Sequence, residues 1–502
     1  MAAAIGSVEY WAGLRPHDIA VVDGERTLTF GDWNAAADRL AQGLAERGVG
    51  PGDIVGVRTQ IRLEWPIISA AVGKLGARLL VANWRFTADE MAFILENSGA
   101  KALIVDDPDP RPVLAAANRL GLSFVAGIEG APDGVIPFCM LFDDEAPERF
   151  ARNDPALVVY TSGTTGRPKG VVMPERPPPP TPDAVGGPGA MLITMPMHHG
   201  AGPNQVWTGR TTGRLSVLMR RFDAAQVLAL IERHRINHWA AVPTMCQRIS
   251  VLPAPVLARY DVSSIRSLSM GAAPVPFALK QWVVGHFGEG KLSEGYGTTE
   301  TGMITGLAPA DQLTKPGSSG MALKDVDIRI RDADGHDLAP GAEGEIWVKT
   351  PTTIHGYLNA PALGPDTCDA DGFFKVGDVG RLEADGHLYL TDRSKDMIVS
   401  GGVNIYPAEI EAVLADHPQV LAAAVVGVPD DDFGETPIAF LEMRPGATAQ
   451  PDEIAAAIHD RLASYKRPKA IHIIDELPRN LMGKVLKTEL RAPYWKGRDR
   501  RI

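Results

Sequence analysis

The sequence predicts an α/β protein: a large N-terminal domain of layered α/β subdomains, a small β subdomain, and a smaller, mobile α+β C-terminal domain. Three observations predict this arrangement. With 502 residues, the chain is too long for one compact core. Short apolar runs alternate with helical patterns in the first half of the chain, as in layered domains with parallel strands. From Lys315 onward the composition shifts to short strands and turns, which is typical of a β subdomain.

The first elements follow from local patterns. The dipeptide Asp23-Gly24 predicts a hairpin turn between strands at residues 20–22 and 27–30. A helix over residues 32–47 places apolar side chains on one face and ends at Gly48. The same alternation of strands and helices continues at residues 70–80, 89–98, 102–105 and 224–300. These elements predict a largely parallel sheet.

Residues 160–170, Tyr-Thr-Ser-Gly-Thr-Thr-Gly-Arg-Pro-Lys-Gly, include the end of an apolar strand pattern at 157–160 and predict a phosphate-binding loop. Glycines let backbone N–H groups approach an oxyanion, hydroxyls add donors, and a lysine offsets the charge of a polyphosphate. The candidate contacts are Thr161, Ser162, Gly163, Thr164, Thr165, Gly166 and Lys169. An ordinary turn between two strands is the alternative. Because Lys169 lies three residues after Gly166, the spacing differs from that of the Gly-x-x-x-x-Gly-Lys loop.

Composition and charge disfavour several classes of protein. A net charge of −11 disfavours a nucleic-acid surface, which needs basic stripes. The cysteines Cys139, Cys246 and Cys368 are far apart, so neither disulfides nor a zinc site is indicated, and a cytoplasmic location fits. The N-terminus lacks the pattern of a signal peptide, and no apolar run reaches the ~18 residues of a membrane span. We therefore expect no integral membrane segment and no nucleic-acid partner.

Three later segments carry small or polar residues in patterns that suit a ligand site. Residues 195–203 include His198-His199, for which a metal site would need a third ligand that no spacing supplies. Residues 269–274, Ser-Met-Gly-Ala-Ala-Pro, are small enough to let backbone approach a flat ligand. Residues 294–300, Glu-Gly-Tyr-Gly-Thr-Thr-Glu, combine a ring that can stack on adenine, hydroxyls for a phosphate, and a carboxylate suited to Mg²⁺.

These motifs, in this order, resemble those of the adenylate-forming superfamily, and the chain is similar over nearly its whole length to the acyl-CoA synthetases within it. Further matching segments lie at residues 372–378, 391–396 and 477–487. The resemblance implies an ATP-dependent carboxylate–CoA ligase, an AMP-forming acid–thiol ligase that uses ATP, Mg²⁺ and CoA. A carboxylate would attack the α-phosphate of ATP to give acyl-AMP and pyrophosphate, and a thiol would then displace AMP.

The resemblance also assigns residues to these ligands. The phosphate loop is implied to hold the β- and γ-phosphates of ATP. The other implied nucleotide contacts are Gly271, Ala272, Ala273, Tyr296, Gly297, Thr298, Thr299, Asp378, Arg393, Lys395, Gly401, Gly402 and Lys484. The implied contacts to CoA are Tyr465, Arg467 and Lys469. The implied catalytic residues are Thr161, His199 beside the acyl carboxylate, Glu300 as the Mg²⁺ ligand, and Lys484 at the carboxylate and α-phosphate.

The domain boundary follows from the same comparison of motifs. An AMP-binding and acyl-substrate domain is expected at residues 1–391, with its β subdomain at about 316–391, and a mobile C-terminal domain at 392–502. Lys395 is implied as the pivot of that domain, and hinge residues at the ends of elements absorb changes in φ and ψ. Because proline fixes φ, Lys395→Pro is expected to reduce thioester formation far more than adenylation.

Several positions depart from the family pattern. Residues 174–182 are rich in proline, which favours an extended surface loop, with a proline-recognition ligand as the alternative. Because of this departure, the sequence does not predict how the adjoining wall of the acyl pocket is built. Trp84 stands where proline is commoner, and Val376 replaces a threonine. No Asp or Glu occurs at residues 200–207, which favours an acid with an uncharged tail over an amino acid.

Other functions fit the same motifs. A stand-alone adenylation enzyme would load the acyl group onto a carrier-protein thiol, and the basic run at residues 465–469 would then be a solvated surface. A luciferase and a non-catalytic nucleotide-binding protein are further alternatives, and the presence of both Glu300 and Lys484 disfavours the second. The sequence leaves open which acid is used, how long it is, and whether the chain forms a homodimer.

Overall fold

The computed structural model describes residues 3–143, 154–161, 168–173, 189–393, 396–400, 403–430, 432–480 and 483–496. Contacts between Cα positions divide the chain into two compact units. Unit 1 comprises residues 1–240, 264–266 and 354–363, and unit 2 comprises residues 241–263, 267–353 and 364–502. The predicted domain boundary between residues 391 and 392 stays a prediction.

Unit 1 contains helices and strands that alternate along much of the chain. Its helices are α1 (Val8–Leu14), α2 (Phe30–Glu46), α3 (Glu64–Lys74), α4 (Ala88–Ser98), α5 (Arg111–Arg119), α6 (Ala201–Thr211) and α7 (Ala224–His234). Its strands are β1 (Ile19–Asp23), β2 (Arg26–Thr29), β3 (Ile54–Arg58), β4 (Arg78–Val81), β5 (Ala102–Val105), β6 (Phe124–Gly127), β7 (Ile136–Pro137), β8 (Leu157–Thr161), β9 (Lys169–Val172), β10 (Ala190–Ile193) and β11 (Leu215–Leu218), with β12 (His238–Ala241) at its end.

Two sheets carry unit 1. The first has the strand order β7-β6-β5-β3-β4-β8-β9 and is parallel except at β9, which runs antiparallel to β8. The second has the order β12-β10-β11-β1-β2 and is parallel except at the β1–β2 hairpin. Strands inside a parallel sheet are covered on both faces, and every residue of β3 is accordingly buried. The predicted parallel sheet and the first predicted hairpin are both confirmed.

Helices α1, α2, α4 and α7 of unit 1 begin at residues whose side chains cap the first turn. The Thr29 hydroxyl accepts from the Asp32 N–H at the start of α2, which is the predicted helix. Thr87 and Glu90 form a capping box at the start of α4, and Gly99 ends that helix with a φ of 65°. The buried core of unit 1 includes Trp33, Leu40, Leu44, Ile68, Leu79 and Ile104.

Unit 2 is richer in strands. Its helices are α8 (Pro243–Ser250), α9 (Ala254–Leu257), α10 (Phe277–Phe287), α11 (Pro407–Ala415), α12 (Pro451–Ile458) and α13 (Lys487–Arg491). Its strands are β13 (Ser267–Gly271), β14 (Leu292–Thr298), β15 (Gly302–Leu307), β16 (Ser318–Ala322), β17 (Asp327–Arg331), β18 (Glu343–Lys349), β19 (Phe374–Leu382), β20 (His387–Arg393), β21 (Ile398–Ser400), β22 (Val403–Ile405), β23 (Val420–Asp430), β24 (Gly434–Met443) and β25 (Ile471–Ile474). In the described ranges of the chain, no helix is both long enough and apolar enough to cross a membrane.

Two sheets also organise unit 2. Strands β17-β18-β19-β20-β16-β15-β14-β13 lie side by side and are antiparallel except for the pair β13 and β14. The second sheet has the order β22-β21-β24-β23, and β25 adds to β24 in parallel. Apolar side chains of α11 and α12 pack with this second sheet in one core that includes Ile410, Leu414, Val425, Leu441 and Ile454. The predicted β subdomain therefore contains β16 to β20.

Candidate active site

The predicted phosphate loop joins two antiparallel strands of unit 1. Strand β8 ends at Thr161, β9 begins at Lys169, and these two residues are opposite each other in the pairing register. The remaining predicted loop residues, Ser162, Gly163, Thr164, Thr165 and Gly166, lie outside the described residues. The hairpin therefore fixes the two ends of the loop and places the predicted lysine beside the predicted threonine.

His198 and His199 lie in the turn between β10 and α6. Burial lowers the pKa of His199, and burial, with a smaller effect of the nearby Arg85 charge, lowers the pKa of His198 to about 3. Both imidazoles are therefore neutral at neutral pH. The Ala201 N–H donates to Nδ1 of His199 at 3.3 Å, so the ring proton lies on Nε2. His199 can thus donate one hydrogen bond to an acyl oxygen, as its predicted role requires.

Helix α6 follows these histidines and carries no carboxylate of its own at residues 200–207. Asp154 nevertheless lies against this helix. Its Oδ2 accepts from Trp207 Nε1 at 2.8 Å and from Arg210 Nη2 at 2.7 Å. The Asp154 carboxylate is therefore already paired with a guanidinium, which leaves it poorly suited to bind a substrate ammonium. Sequence reasoning missed Asp154 because its position in the sequence gives no sign of this contact.

The predicted adenine contacts lie where β13 and β14 run side by side in unit 2. Gly271 is opposite Gly295, and a Cβ on Gly271 would come within 2.7 Å of the Gly295 carbonyl oxygen. Ala272 follows with a φ of 66°, a left-handed conformation that is uncommon for residues other than glycine. The close strand approach explains the small residue at position 271. The adenine role of Gly271, Ala272 and Ala273 stays a prediction.

Tyr296 and Asp378, predicted separately as adenine and ribose contacts, touch each other. The Tyr296 hydroxyl donates to Asp378 Oδ2 at 2.6 Å. Asp378 lies on β19, opposite Arg393 of β20, and is 9% exposed. A carboxylate has several lone pairs that can accept from ribose hydroxyls, and a tyrosine ring can stack on a base. The structure thus brings together predicted nucleotide residues from strands that are distant in the sequence.

Four other predicted residues fall wholly or partly outside the described residues. The side chain of Arg393, and all of Lys395, Gly401 and Gly402, lie outside the described part of the chain. Their roles stay predictions.

The turn between β14 and β15 holds the predicted phosphate and magnesium contacts. Gly297 faces Gly302 so closely that a side chain at residue 297 would overlap the Gly302 carbonyl oxygen. Thr298 Oγ1 accepts the Thr301 N–H at 3.2 Å and lies 2.9 Å from the Thr301 hydroxyl. Thr299 and Glu300 complete the turn, and both side chains are partly exposed. Carboxylate and hydroxyl oxygens are donors that Mg²⁺ takes, so Glu300 and its threonine neighbours fit this ion.

Two groups that sequence reasoning missed support β14 and its turn. Thr301 is fully buried, and its carbonyl oxygen accepts from the hydroxyls of Thr350 and Thr352 at 2.7 Å each. Lys280 on α10, 2% exposed, forms an ion pair with Glu294, two residues before Tyr296. Burial raises the pKa of the Glu294 carboxyl, and the Lys280 ammonium opposes that rise. These contacts join residues far apart in the sequence, which explains why no local pattern revealed them.

Lys484 lies on a tight turn. Asn480 N–H donates to the Lys484 carbonyl at 2.9 Å, and Lys484 N–H donates to Asn480 Oδ1 at 2.9 Å. Gly483 has a φ of 73°, and a Cβ there would overlap the Thr244 hydroxyl at the start of α8. Arg248 of the same helix forms a 2.9 Å ion pair with Glu476. The turn therefore presents Lys484 beside α8 within unit 2.

The predicted CoA contacts lie on the surface of unit 2 and already have protein partners. Tyr465 is 48% exposed, Lys469 forms a 2.5 Å ion pair with Asp430, and Arg467 donates to the Leu462 carbonyl at 3.0 Å. The Lys469 side chain is 65% exposed, so its ammonium remains within reach of a ligand at the surface. The CoA role of these residues stays a prediction.

The α/β architecture, the β8–β9 hairpin that carries the predicted phosphate loop, and the Tyr296–Asp378 pair are what we expect of an adenylate-forming enzyme. The chain belongs to the AMP-binding enzyme family: the family's "AMP-binding enzyme" model matches residues 8–358, and its "AMP-binding enzyme C-terminal domain" model matches residues 409–484. The family and the mixed α/β fold class predicted from the sequence are both confirmed.

Individual relatives are similar to this chain over nearly its full length. The 2-succinylbenzoate–CoA ligase of Bacillus licheniformis is 34% identical over 506 residues, covering 95% of this chain and 98% of that protein. A feruloyl-CoA synthase of Amycolatopsis sp is 35% identical over 502 residues, covering 96% and 97%. The solved structure of o-succinylbenzoate CoA synthetase from Bacillus subtilis, in complex with its acyl-adenylate intermediate, is similar with a TM-score of 0.80, 30% identity and 99% coverage of each chain.

Proposed function

We propose that this chain activates a carboxylic acid with an uncharged tail as an acyl-adenylate and transfers the acyl group to CoA. The chain is an ATP-dependent carboxylate–CoA ligase, and both curated relatives named above are CoA-thioester-forming enzymes. The observation that carries the proposal is the hydrogen bond from the Tyr296 hydroxyl to the Asp378 carboxylate. It brings together a ring that can stack on adenine and a carboxylate that can bind ribose. A homodimer and a cytoplasmic location stay predictions of the sequence.

In the first half-reaction, a carboxylate oxygen attacks the α-phosphorus of ATP. The bond from that phosphorus to the oxygen bridging to the β-phosphate breaks, and pyrophosphate leaves with the electron pair. Negative charge gathers on the α-phosphate, so fixed donors there lower the barrier. We assign this role to the Lys484 ammonium and the Thr298 and Thr299 hydroxyls, and we assign Lys169 to the β- and γ-phosphates.

Glu300 would hold the Mg²⁺ that accompanies ATP. A bound Mg²⁺ neutralises phosphate charge and orients the phosphate chain. The protein's own contribution is the fixed turn: the bonds between Thr298 and Thr301, and those from Thr350 and Thr352, hold the backbone that carries the carboxylate. This support limits the reorganisation required when the metal–nucleotide complex binds.

In the second half-reaction, the CoA thiol loses its proton to solvent, its sulfur attacks the acyl carbonyl carbon, the bond to AMP breaks, and AMP leaves with the electron pair. The Nε2–H group of neutral His199 can donate a hydrogen bond to the acyl oxygen and orient it without adding charge. Tyr465, Arg467 and Lys469 are assigned to CoA. The ion pair between Lys469 and Asp430 would open to accept a phosphate.

The uncharged tail is inferred from the surroundings of α6. An amino-acid substrate needs a carboxylate for its ammonium, and residues 200–207 supply none. Asp154, which lies against this helix, forms an ion pair with Arg210. An aryl, alicyclic or aliphatic acid meets no such requirement.

The test is a panel of aryl, alicyclic, aliphatic and amino acids, scored by pyrophosphate release. Mass spectrometry then identifies the product formed with CoA and with a phosphopantetheinylated carrier protein. We expect a neutral acid to give the fastest release and CoA to receive the acyl group. Faster release with any free amino acid would overturn the tail assignment, and a thioester formed on the carrier protein alone would overturn CoA as acceptor.

A further inference from the structure

We propose that Tyr357 is a positioning residue for the triphosphate of ATP, because its ring holds the Lys169 ammonium beside the phosphate loop. The inference rests on the proposed function, in which Lys169 meets the β- and γ-phosphates. It assigns a role to a residue of the segment at 354–363, which belongs to unit 1 although it is remote in sequence from the loop.

The contact between these residues is a cation–π interaction. Lys169 Nζ lies 4.8 Å from the centroid of the Tyr357 ring, within the ~6 Å over which a ring face attracts a cation. Within the described ranges, Lys169 forms no ion pair with a carboxylate. A ring restrains an ammonium without neutralising it, whereas a carboxylate would cancel the charge that a phosphate needs. Tyr357 therefore preorganises the lysine and leaves its full charge for the ligand.

Backbone contacts fix Tyr357 beside the strand that carries Lys169. Val171 of β9 and Tyr357 form an antiparallel bridge. The Leu358 N–H donates to the Gly170 carbonyl oxygen at 2.8 Å. These contacts extend the sheet by one short segment next to β9, so the ring position is set by backbone geometry.

Asn97 of α4 ties this segment to the strand on the other side of the loop. Its Oδ1 accepts from the Tyr160 hydroxyl at 2.7 Å, and its carbonyl oxygen accepts from Asn359 Nδ2 at 2.6 Å. Burial raises the pKa of Tyr160, so its hydroxyl remains a donor. Gly170 lies between Tyr160 and Leu358, since a Cβ there would be 3.1 Å from both side chains. These hydrogen bonds and packing contacts within unit 1 therefore fix the positions of both strands that flank the predicted phosphate loop.

A restraint of this kind acts on ATP binding more than on the chemical step. We expect Tyr357→Leu to raise the KM for ATP about five- to tenfold in acid-dependent pyrophosphate exchange, with little change in the KM for the acid. Tyr357→Phe keeps the ring and should stay within about twofold of wild type. Tyr260→Leu is the matched control, because it removes a half-buried tyrosine that contacts Arg259 at 5.5 Å in unit 2.

A double-mutant cycle separates the inference from the function on which it rests. Lys169→Ala should raise the KM for ATP, and adding Tyr357→Leu to it should change little more. An unchanged KM in Lys169→Ala would overturn the role of Lys169 itself. If Lys169→Ala raises the KM but Tyr357→Leu does not, or if the two effects multiply, Tyr357 does not act through the lysine.

A series of variants with fluorinated phenylalanines at position 357 tests the same contact even if Tyr357→Leu fails to fold. They preserve the size of the ring while progressively removing the negative charge of its face. The KM for ATP should rise with the number of fluorines, while the thermal midpoint stays constant. A flat series would overturn the cation–π contact as the positioning interaction.

Discussion

The β8–β9 hairpin and the β14–β15 hairpin both carry predicted nucleotide contacts. An aromatic ring restrains the predicted contact in the first hairpin, whereas an aromatic ring is the restrained group in the second. In unit 1, the aromatic ring of Tyr357 restrains the Lys169 ammonium at 4.8 Å. In unit 2, the carboxylate of Asp378 restrains the aromatic ring of Tyr296 through a 2.6 Å hydrogen bond. Each restrained group is the one assigned to the ligand: a full positive charge for phosphates in the first hairpin, and an oriented ring for adenine in the second.

The partners differ for a physical reason. A lysine paired with a carboxylate would bring little net charge to a triphosphate, so a ring is the better partner. A tyrosine bonded through its hydroxyl has an oriented ring that can stack on adenine, and a carboxylate has several lone pairs that can accept from ribose hydroxyls. Changes to either pair should therefore alter the use of ATP without altering the use of the acid.

A third turn, at Asn480 to Lys484, should show the largest effect because its lysine is assigned to the reacting phosphorus. We expect Lys484→Ala to slow acyl-AMP formation roughly 10²–10³-fold, as for loss of one donor at developing charge. Thioester formation from supplied acyl-AMP should remain largely intact. Single-turnover assays of each half-reaction measure both rates.

Lys487→Ala is the control, since this neighbouring lysine forms a 2.8 Å ion pair with Glu411. Equal damage to both half-reactions in Lys484→Ala would contradict its assignment to the first step.

Glu300→Gln removes an anionic oxygen from the β14–β15 turn while preserving its shape. Because Mg²⁺ prefers hard anionic ligands, the Mg²⁺ concentration for half-maximal activity should rise at least about tenfold. The measurement is a Mg²⁺ titration of pyrophosphate release at saturating acid. A titration curve that superimposes on that of wild type would rule out Glu300 as the ligand.

Tyr296→Phe breaks the phenol–carboxylate bond but keeps the ring. A hydrogen bond to a charged group typically contributes about 1.5–3 kcal/mol, part of which water replaces, so the KM for ATP should rise roughly three- to tenfold. The KM for the acid should not change. If the KM for ATP also stays at the wild-type value, the Asp378 contact does not orient the ring.

The smallest effect concerns stability rather than ligand use. The folded-state pKa of His198 is about 3, below the ordinary value of 6.5, chiefly because the ring is buried. The unfolded chain therefore binds a proton first as the pH falls, and the contribution of neutral His198 to stability is lost progressively from pH 6.5 toward 3. At pH 5 this amounts to at most about 2 kcal/mol.

Thermal midpoints measured from pH 7 to pH 5 test this account. His198→Phe should flatten the decrease seen in wild type, whereas His336→Phe, at an exposed position, should not. Identical slopes for wild type and His198→Phe would contradict the buried neutral imidazole.

Local patterns predicted the elements well because their causes are local. The Asp23-Gly24 turn and helix α2 depend on residues adjacent in the sequence, and both are present. The candidate contacts Tyr296, Asp378 and Lys169 were also predicted one by one. The residues that restrain them were not all predicted. Tyr357 lies 188 positions after Lys169 (357 − 169), and a single tyrosine gives no periodic or charge pattern. Asn97 and Thr301 were missed for the same reason, since only the fold brings them to their partners.

Exchange of labelled pyrophosphate into ATP, without CoA, tests the central claim most directly. Reversible acyl-adenylate formation predicts exchange that requires both Mg²⁺ and an acid that also supports CoA thioester formation. It also predicts that exchange is lost in Lys484→Ala. Thioester formation without any acid-dependent exchange, under conditions in which added pyrophosphate is shown to bind, would contradict an adenylate intermediate and with it the account given for both hairpins.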